Sequence, residues 1–203
     1  MDLAGLLKLL RAPAPEVSAV FRVGSRVYGT ASPASDEDFV AVLSRAGARQ
    51  DLLFAEGINV IVHDRSSFQR ALERQSVLVL ECFFAPREHR LHETGPVFCW
   101  SYDAEKLAAA ALTTSDKDFH KAERIFDDEP DAARKKLFHS LRVPLFALEI
   151  ARTRRLADFT MAAPLWRAIA AHPASDWPAL GRRFGPERDR LLADLSRLAK
   201  AKR

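Results

Sequence analysis

Short apolar runs separated by polar turns mark the first half of the chain. Residues Val17–Val23 and 39–43 are apolar enough to be buried strands, and residues 57–62 predict a third strand. Residues 1–11 have the periodicity of an amphipathic helix, which a proline-rich segment ends. The basic stretch 44–50 predicts a loop between two of the strands.

Helical periodicity replaces the strand pattern further along the chain. Ser66, with Gln69 three residues later, predicts a helix start, and from residue 103 onward nearly every segment has helical composition. Pro144 is expected to kink or divide the longest helix. The predicted helices of this second half cover residues 103–112, 115–126, 130–154, 165–171 and 186–200.

Strands that come first and helices that follow predict an α+β, or mixed α/β, fold. We expect residues 1–102 to form a small sheet with flanking helices, and residues 103–203 to form a helical C-terminal subdomain. A chain of 203 residues is long enough to bury a full core.

The charge and the cysteine content limit the classes of function. A net charge of +4 suits an anionic partner, such as a nucleotide or RNA, without identifying it. Cys82 and Cys99 are too few for a disulfide framework and have no zinc-site spacing. No apolar run reaches the roughly 18 residues of a membrane span, and the first helix carries Asp2, so it does not read as a secretion signal. We therefore expect a cytoplasmic protein.

The candidate chemistry begins with two aspartates at the start of the second strand. Side chains alternate across a strand, so Asp36 and Asp38 are predicted to share a face while Glu37 points to the other. Two carboxylates this close suit Mg²⁺, which takes one or two protein carboxylates and completes its shell with water and phosphate oxygens.

A glycine-serine turn precedes this pair and is a candidate phosphate site. Gly24 and Gly29 let backbone N–H groups approach an anion, and a turn that leads into a helix aims those groups at it. Ser25 adds a hydroxyl and Arg26 a fixed positive charge.

The order Gly24-Ser-Arg-Val-Tyr-Gly-Thr30, then Ser35-Asp-Glu-Asp38, resembles the nucleotidyltransferases of the DNA polymerase β superfamily. It looks like the predicted nucleotidyltransferase subfamily, some members of which are associated with RNA repair. The resemblance extends over residues 17–155, through the runs 59–64, 80–86 and 135–142.

The resemblance implies transfer of a nucleoside monophosphate from a triphosphate such as ATP to an acceptor hydroxyl, on RNA or on a protein, with release of pyrophosphate. It implies that Asp36 and Asp38 bind Mg²⁺ or Mn²⁺. Gly24, Ser25 and Arg26 are then expected to bind the phosphates.

The superfamily usually has a third carboxylate on the third strand, and here that position is Asn59. The apolar residues 58, 60 and 62 form one face, which leaves Asn59 facing the site. An amide oxygen can ligate a metal but cannot take a proton from a nucleophile. Three explanations are open: two carboxylates suffice, or Glu56, His63 or Asp64 is recruited, or the chain is a nucleotide- or RNA-binding relative with impaired catalysis.

Cationic residues of the helical half are candidates for contact with the phosphates. His139 and Arg142 share a face of the long helix with Lys135 one turn earlier, and we expect this face to bind the nucleotide, although a solvated face is the alternative. A second basic stripe comprises Lys117, His120, Lys121 and Arg124. Glu81, in an apolar run, is equally well interpreted as a structural or as a functional buried acid.

Overall fold

The computed structural model describes most of the chain. It divides into two compact units, Met1–Arg74 with Leu78–Ser101, and Gln75–Val77 with Tyr102–Arg203. That residues 1–102 and 103–203 act as separate domains stays a prediction. The predicted loop at 44–50 lies outside the described residues from position 45 onward. The described residues are 1–44, 51–55, 57–94, 97–173 and 176–201.

A mixed five-stranded sheet forms the centre of the first unit, with strand order β3-β4-β2-β1-β5. Strands β2 and β4 are parallel, and the other neighbours are antiparallel. The sheet and the surrounding helices confirm the predicted α+β class. The three predicted strands are present, and two were missed, β3 and β5. The strands are β1 Val17–Val23, β2 Glu37–Leu43, β3 Asp51–Ala55, β4 Ile58–Asp64 and β5 Arg90–Glu93.

Both faces of the sheet pack against helices of the same unit. Helix α1 (Leu3–Leu10) covers one face with leucines that join a buried cluster around Phe39 and Val60. On the opposite face Phe21 stacks on Phe68 of α3 (Arg65–Glu73), with ring centroids 5.9 Å apart. Two further helices complete this part of the chain, α2 (Ser25–Tyr28) and α4 (Val77–Phe84).

The start of α3 differs from the prediction at Ser66. The N-cap is Asp64, whose carboxylate accepts a 2.6 Å hydrogen bond from the backbone N–H of Ser67. The Ser67 hydroxyl accepts the backbone N–H of Asp64 at 3.1 Å in return. This reciprocal capping box satisfies two N–H groups at once, so it fixes the helix start earlier than Ser66.

The second unit is helical, and two of its helices, the first and the last, are much longer than the sequence predicted. The segments predicted as 103–112 and 115–126 are one helix, because Thr113 and Ser115 donate their hydroxyls to carbonyls 2.9 and 2.6 Å away and leave the helix unbroken. Pro144 lies inside an uninterrupted helix, so of the two predicted outcomes division of the helix does not occur, and a kink stays a prediction. Over the residues that the structure describes in this unit, the helices are α5 Ala104–Ile125, α6 Pro130–Thr153, α7 Ala163–Ala170 and α8 Trp177–Lys200.

The last helix begins well before the predicted residue 186. Asp176 caps it by accepting a 2.7 Å hydrogen bond from the backbone N–H of Ala179. Leu180 and Phe184 are buried, and their packing compensates for the helix hydrogen bond that Pro186 cannot donate.

A buried polar network joins three helices of the second unit. Arg188 of α8 donates from Nε to the Ser115 hydroxyl at 2.9 Å, and it forms an ion pair with Asp116. Ser115 in turn donates to the carbonyl of Ser140 on α6 at 2.6 Å. A buried guanidinium is stable only when its donors are satisfied, so this network fixes α8 against α5 and α6.

No helix in the described part of the chain combines the length and the apolar composition that crossing a bilayer requires.

Candidate functional site

Three predicted site residues meet at one end of the parallel strand pair. Asp38 and Asn59 are register partners on β2 and β4, and Asp36 lies just before β2. The Asn59 amide donates from Nδ2 to Asp38 Oδ1 at 2.9 Å and to Asp36 Oδ2 at 3.3 Å. One side chain therefore brings both carboxylates to the same point.

Glu37 points to the other face, as strand alternation predicted. Its carboxylate accepts a 2.7 Å hydrogen bond from the N-terminal amine, and Arg22 lies 4.0 Å away. The hydrogen bond from the amine is the main reason that the pKa of Glu37 is lowered. Glu37 is thus held away from the Asp36 and Asp38 carboxylates.

Gly24 lies directly against Asp38. Its backbone has φ 81° and ψ −163°, a conformation that is essentially restricted to glycine. A Cβ atom at this position would lie 2.0 Å from Asp38 Oδ2 and 2.7 Å from Asp38 Cβ. The glycine-serine turn and the aspartate pair therefore form one compact site.

Helix α2 starts immediately at this turn. Val27 and Tyr28 donate their backbone N–H groups to the Gly24 carbonyl at 2.9 and 3.1 Å. The backbone N–H groups of Ser25 and Arg26 lie in the first turn of the helix. They have no acceptor within the helix, because no helical carbonyl comes before them. Among the described residues the structure gives the Ser25 hydroxyl no hydrogen-bond partner. These groups follow directly on Gly24, against which Asp38 lies.

Arg26 connects the turn to the segment that carries Asp36. Its Nη2 donates to the backbone carbonyl of Ser35 at 2.8 Å, and the rest of the side chain is exposed. The guanidinium thus orders the residue before Asp36. Its predicted contact with phosphate stays a prediction.

Tyr28 anchors the other side of α2 to a buried acid. The Tyr28 hydroxyl donates to Glu81 Oε2 of α4 at 2.5 Å, and both side chains are buried. Helix α2 has only 4 residues, too few to be stable alone, so it depends on such contacts. For Glu81 the structure favours the interpretation as a structural carboxylate.

The donor set at this end of the sheet suits a hard divalent cation. Within the described ranges no group of three or more His, Cys, Asp and Glu side chains could hold a metal. The Asn59 Nδ2 group is nevertheless placed where it satisfies both carboxylates, a role that a cation can take over. Rotation of the amide presents its oxygen instead, which gives two carboxylates and one amide oxygen, all ligands that Mg²⁺ accepts.

Two of the residues considered as a replacement for the third carboxylate lie elsewhere. His63 and Asp64 pair with Val42 and Leu43, at the opposite end of β2 from Asp38. At about 3.3 Å per strand residue they are more than about 12 Å from Asn59 along β4. Asp64 caps α3, and His63 is buried beside Phe68. Glu56 lies outside the described residues.

The exposed ring of Phe54 is a neighbour of Asn59 that the sequence analysis missed. Phe54 on β3 is the register partner of Asn59, and its side chain is 70% exposed. The segment Asp51–Ala55 has four consecutive apolar residues without alternation, so it gave no strand signal. A prediction of β3 would have required its pairing with β4.

The predicted cationic residues of α6 lie in the second unit. Arg142 is buried and donates from Nε to His139 Nδ1 at 3.4 Å, which confirms that the two share a face. Lys135 is exposed. Contact of Lys135, His139 and Arg142 with a nucleotide stays a prediction.

His139 is expected to make stability depend on pH. Burial, then the charges of Arg142, Lys136 and Lys135, hold the pKa of His139 well below 6.5. Below about pH 6.5 the unfolded chain binds a proton that the folded chain does not, so stability falls as the pH drops. Urea unfolding between pH 7.5 and 5 should show this loss, to which one proton contributes at most about 1.4 kcal/mol per pH unit.

The variant His139→Gln should reduce this slope, whereas His120→Gln, at a histidine whose side chain is 75% exposed, should leave it unchanged. Equal slopes in wild type and His139→Gln would contradict the assignment.

Comparisons with known proteins give one structural similarity to report. No protein-family model matches the chain, and no curated protein matches it. Among solved structures it is similar to a nucleotidyltransferase-like protein from Exiguobacterium sibiricum 255-15, with a TM-score of 0.33 and 10% sequence identity. The similarity covers 93% of this chain and 70% of the other.

Proposed function

We propose that the protein is a metal-dependent nucleotidyltransferase, which transfers a nucleoside monophosphate from a nucleoside triphosphate to an acceptor hydroxyl and releases pyrophosphate. One observation carries the proposal. The Asn59 amide of β4 donates to Asp38 of the adjacent parallel strand β2 at 2.9 Å and to Asp36, just before β2, at 3.3 Å. This convergence lies directly against the backbone of Gly24.

The proposal gives each residue a separate role. Asp36 and Asp38 hold Mg²⁺ or Mn²⁺, and Asn59 supports the ion through its amide oxygen. When bound, the ion neutralises phosphate charge and favours attack at phosphorus. Ser25 and the backbone N–H groups at the start of α2 bind the phosphate oxygens, because they are donors without an acceptor in the helix.

The reaction itself is a substitution at the α-phosphorus. The acceptor oxygen forms a new bond to this phosphorus, while the bond from phosphorus to the bridging β-phosphate oxygen breaks and pyrophosphate leaves. The acceptor hydroxyl loses its proton to water, because Asn59 accepts none. Positioning and electrostatic stabilisation supply most of the rate in such transfers, so this site supports turnover without a protein base.

The test is pyrophosphate release from each of the four ribonucleoside triphosphates, with Mg²⁺ or Mn²⁺ and with RNA or protein acceptors. We expect the wild type to release pyrophosphate and the Asp36→Ala/Asp38→Ala variant to lose at least about 100-fold in rate, because it retains no carboxylate ligand. Pyrophosphate release at the wild-type rate by this variant would refute the metal assignment.

Glu37→Ala is the matched control for the aspartates. It removes a carboxylate from the same strand but from the opposite face, where its partner is the N-terminal amine. We expect transfer to persist in this variant. Loss of transfer in both variants would show an effect on the strand rather than on a metal site.

A second candidate function is a nucleotide- or RNA-binding protein with impaired catalysis. It is favoured by Asn59 in place of a carboxylate and by four exposed basic residues along α5, at positions 117, 120, 121 and 124. This candidate predicts triphosphate or RNA binding, measured by calorimetry, without pyrophosphate release under any of the acceptor conditions.

A further inference from the structure

Two exposed apolar side chains lie on the edge of the sheet. Leu52 and Phe54 of β3 are 58% and 70% exposed. They are two residues apart, so they share a face, while Leu53 between them packs against the core on the other face. Strand β3 is at the edge of the sheet, beside β4.

The exposed pair is on the same face as the candidate site. Phe54 is the register partner of Asn59, and Leu52 is the partner of Ile61. Directly paired residues of antiparallel strands project to one face, so the Phe54 ring is next to Asn59. Across the sheet end the order is Val23 at the end of β1, directly before Gly24, then Asp38 on β2, Asn59 on β4 and Phe54 on β3.

The spacing along this row is that of neighbouring strands. At about 4.8 Å per strand, the Cα atom of Phe54 lies about 10 Å from that of Asp38. A nucleotide likewise carries phosphate anions at one end and a flat, weakly polar base at the other, a short distance away. The donors of the turn, the carboxylates and the aromatic ring match this order.

The Phe54 ring is not used by the core. Among the described residues it has no ring contact, whereas Phe21 and Phe68 on the same face stack on each other at 5.9 Å. An exposed ring beside a charged site gives a surface on which any base can stack. The charged groups beside it favour a nucleotide over an apolar peptide or a second copy of the chain.

We propose that Phe54, flanked by Leu52, is the stacking subsite for a nucleobase beside the Asp36, Asp38 and Asn59 cluster. This inference rests on the proposed function, because the phosphates and the metal position the base. The base belongs either to the triphosphate or to the end of a nucleic-acid acceptor. Stacking on a single ring accepts every base, so Phe54 adds affinity without selecting among bases.

The direct test compares ligands with and without a base. Calorimetry with Mg²⁺ measures the binding of ATP, CTP and inorganic tripolyphosphate to wild type and to Phe54→Ala. If the base belongs to the triphosphate, Phe54→Ala should bind both nucleotides about tenfold more weakly and bind tripolyphosphate as the wild type does. Leu112→Ala, which also truncates an exposed apolar side chain, is the control and should change none of these affinities.

The variant Phe54→Trp distinguishes stacking on a base from a purely structural role of the Phe54 ring. The indole retains stacking, so nucleotide affinity should be restored relative to Phe54→Ala. Its fluorescence, taken as the difference from wild type, should be quenched by ATP and not by tripolyphosphate.

A second arm identifies the source of the base. Oligoadenylate of six nucleotides and an abasic oligomer of equal length are titrated in the same way. If the base belongs to the acceptor, Phe54→Ala should weaken oligoadenylate binding about tenfold and leave the abasic oligomer and ATP unchanged. The Phe54→Trp quenching should then follow oligoadenylate.

Failure of this inference differs from failure of the proposed function. If the Asp36→Ala/Asp38→Ala variant loses binding of Mg²⁺ with tripolyphosphate but Phe54→Ala leaves every base-containing ligand unchanged, the stacking subsite alone is refuted. If Phe54→Ala converts a dimer into a monomer in sedimentation and changes no ligand affinity, the ring contacts a second copy and the inference is also wrong.

Discussion

The variant Gly24→Ala is expected to lose nucleotide transfer and much of the stability of the sheet unit. A methyl group at this position would overlap Asp38, whose Oδ2 lies 2.0 Å from the ideal Cβ position. The backbone conformation, φ 81° and ψ −163°, lowers the free energy of unfolding by about 1–3 kcal/mol for any residue with a side chain. Overpacking against the Asp38 side chain lowers the free energy of unfolding by about 1–3 kcal/mol more.

The loss of activity follows from displacement of Asp38. A shift of about 1 Å in a catalytic group can cost about 100-fold in rate. The measurements are urea unfolding and pyrophosphate release on the same preparation. A stable Gly24→Ala variant with the wild-type rate would show that Asp38 does not need this close contact.

Gly57→Ala is a suitable control for the backbone contribution. Gly57 also has a positive φ, 67°, but an added Cβ would meet no atom within 4 Å. Gly57→Ala should lower the free energy of unfolding only by the cost of the left-handed backbone conformation, about 1–2 kcal/mol. Activity per folded molecule should be close to wild type, which separates strain from the collision with Asp38.

The variant Asn59→Asp is expected to raise the rate of transfer by about 100-fold or more. A carboxylate here can take the proton of the acceptor hydroxyl, and general bases contribute roughly 100- to 10,000-fold. Single-turnover pyrophosphate release with saturating Mg²⁺ measures the effect. An unchanged rate would mean that Asn59 does not occupy the position of the third carboxylate.

The substitution Asn59→Asp is also expected to lower the stability of the metal-free protein. The Asn59 amide now donates to two carboxylates, whereas an aspartate would place a third negative charge beside them. The metal-free variant should therefore be less stable than wild type, and Mg²⁺ should stabilise it more strongly. Asn59→Ala, which has neither a ligand nor a base, is the control and should be slower than wild type.

The fold could be predicted wherever the hydrophobic pattern had a clear period. The strands at Val17–Val23 and at the start of β4 are long enough and apolar enough to be predicted. Strand β5 is short and polar, with the sequence Arg-Leu-His-Glu, and it exists through its pairing with β1. Such an edge strand is defined by its partner, which a local pattern does not contain.

The placement of Asp38 and Asn59 in the candidate site could also be predicted from the period of the hydrophobic pattern. Alternation places Asp38 on the face of β2 opposite to Glu37, and the buried residues 58, 60 and 62 leave Asn59 on the other face of β4. The hydrogen bonds of Arg26 to the Ser35 carbonyl and of Tyr28 to Glu81 were not predictable. They join residues that approach each other only in the folded chain, and no spacing rule relates them.

The position of Arg188 limits how the protein can be shortened. Its guanidinium is anchored through Ser115 on α5, which in turn donates to the Ser140 carbonyl on α6. A fragment that stops before Arg188 would remove the partner of Ser115 and Asp116 on α5 and would expose the apolar surface beneath Leu191 and Leu195. The last helix is therefore an integral part of its unit, and a shorter form that still folds must be sought elsewhere in the chain.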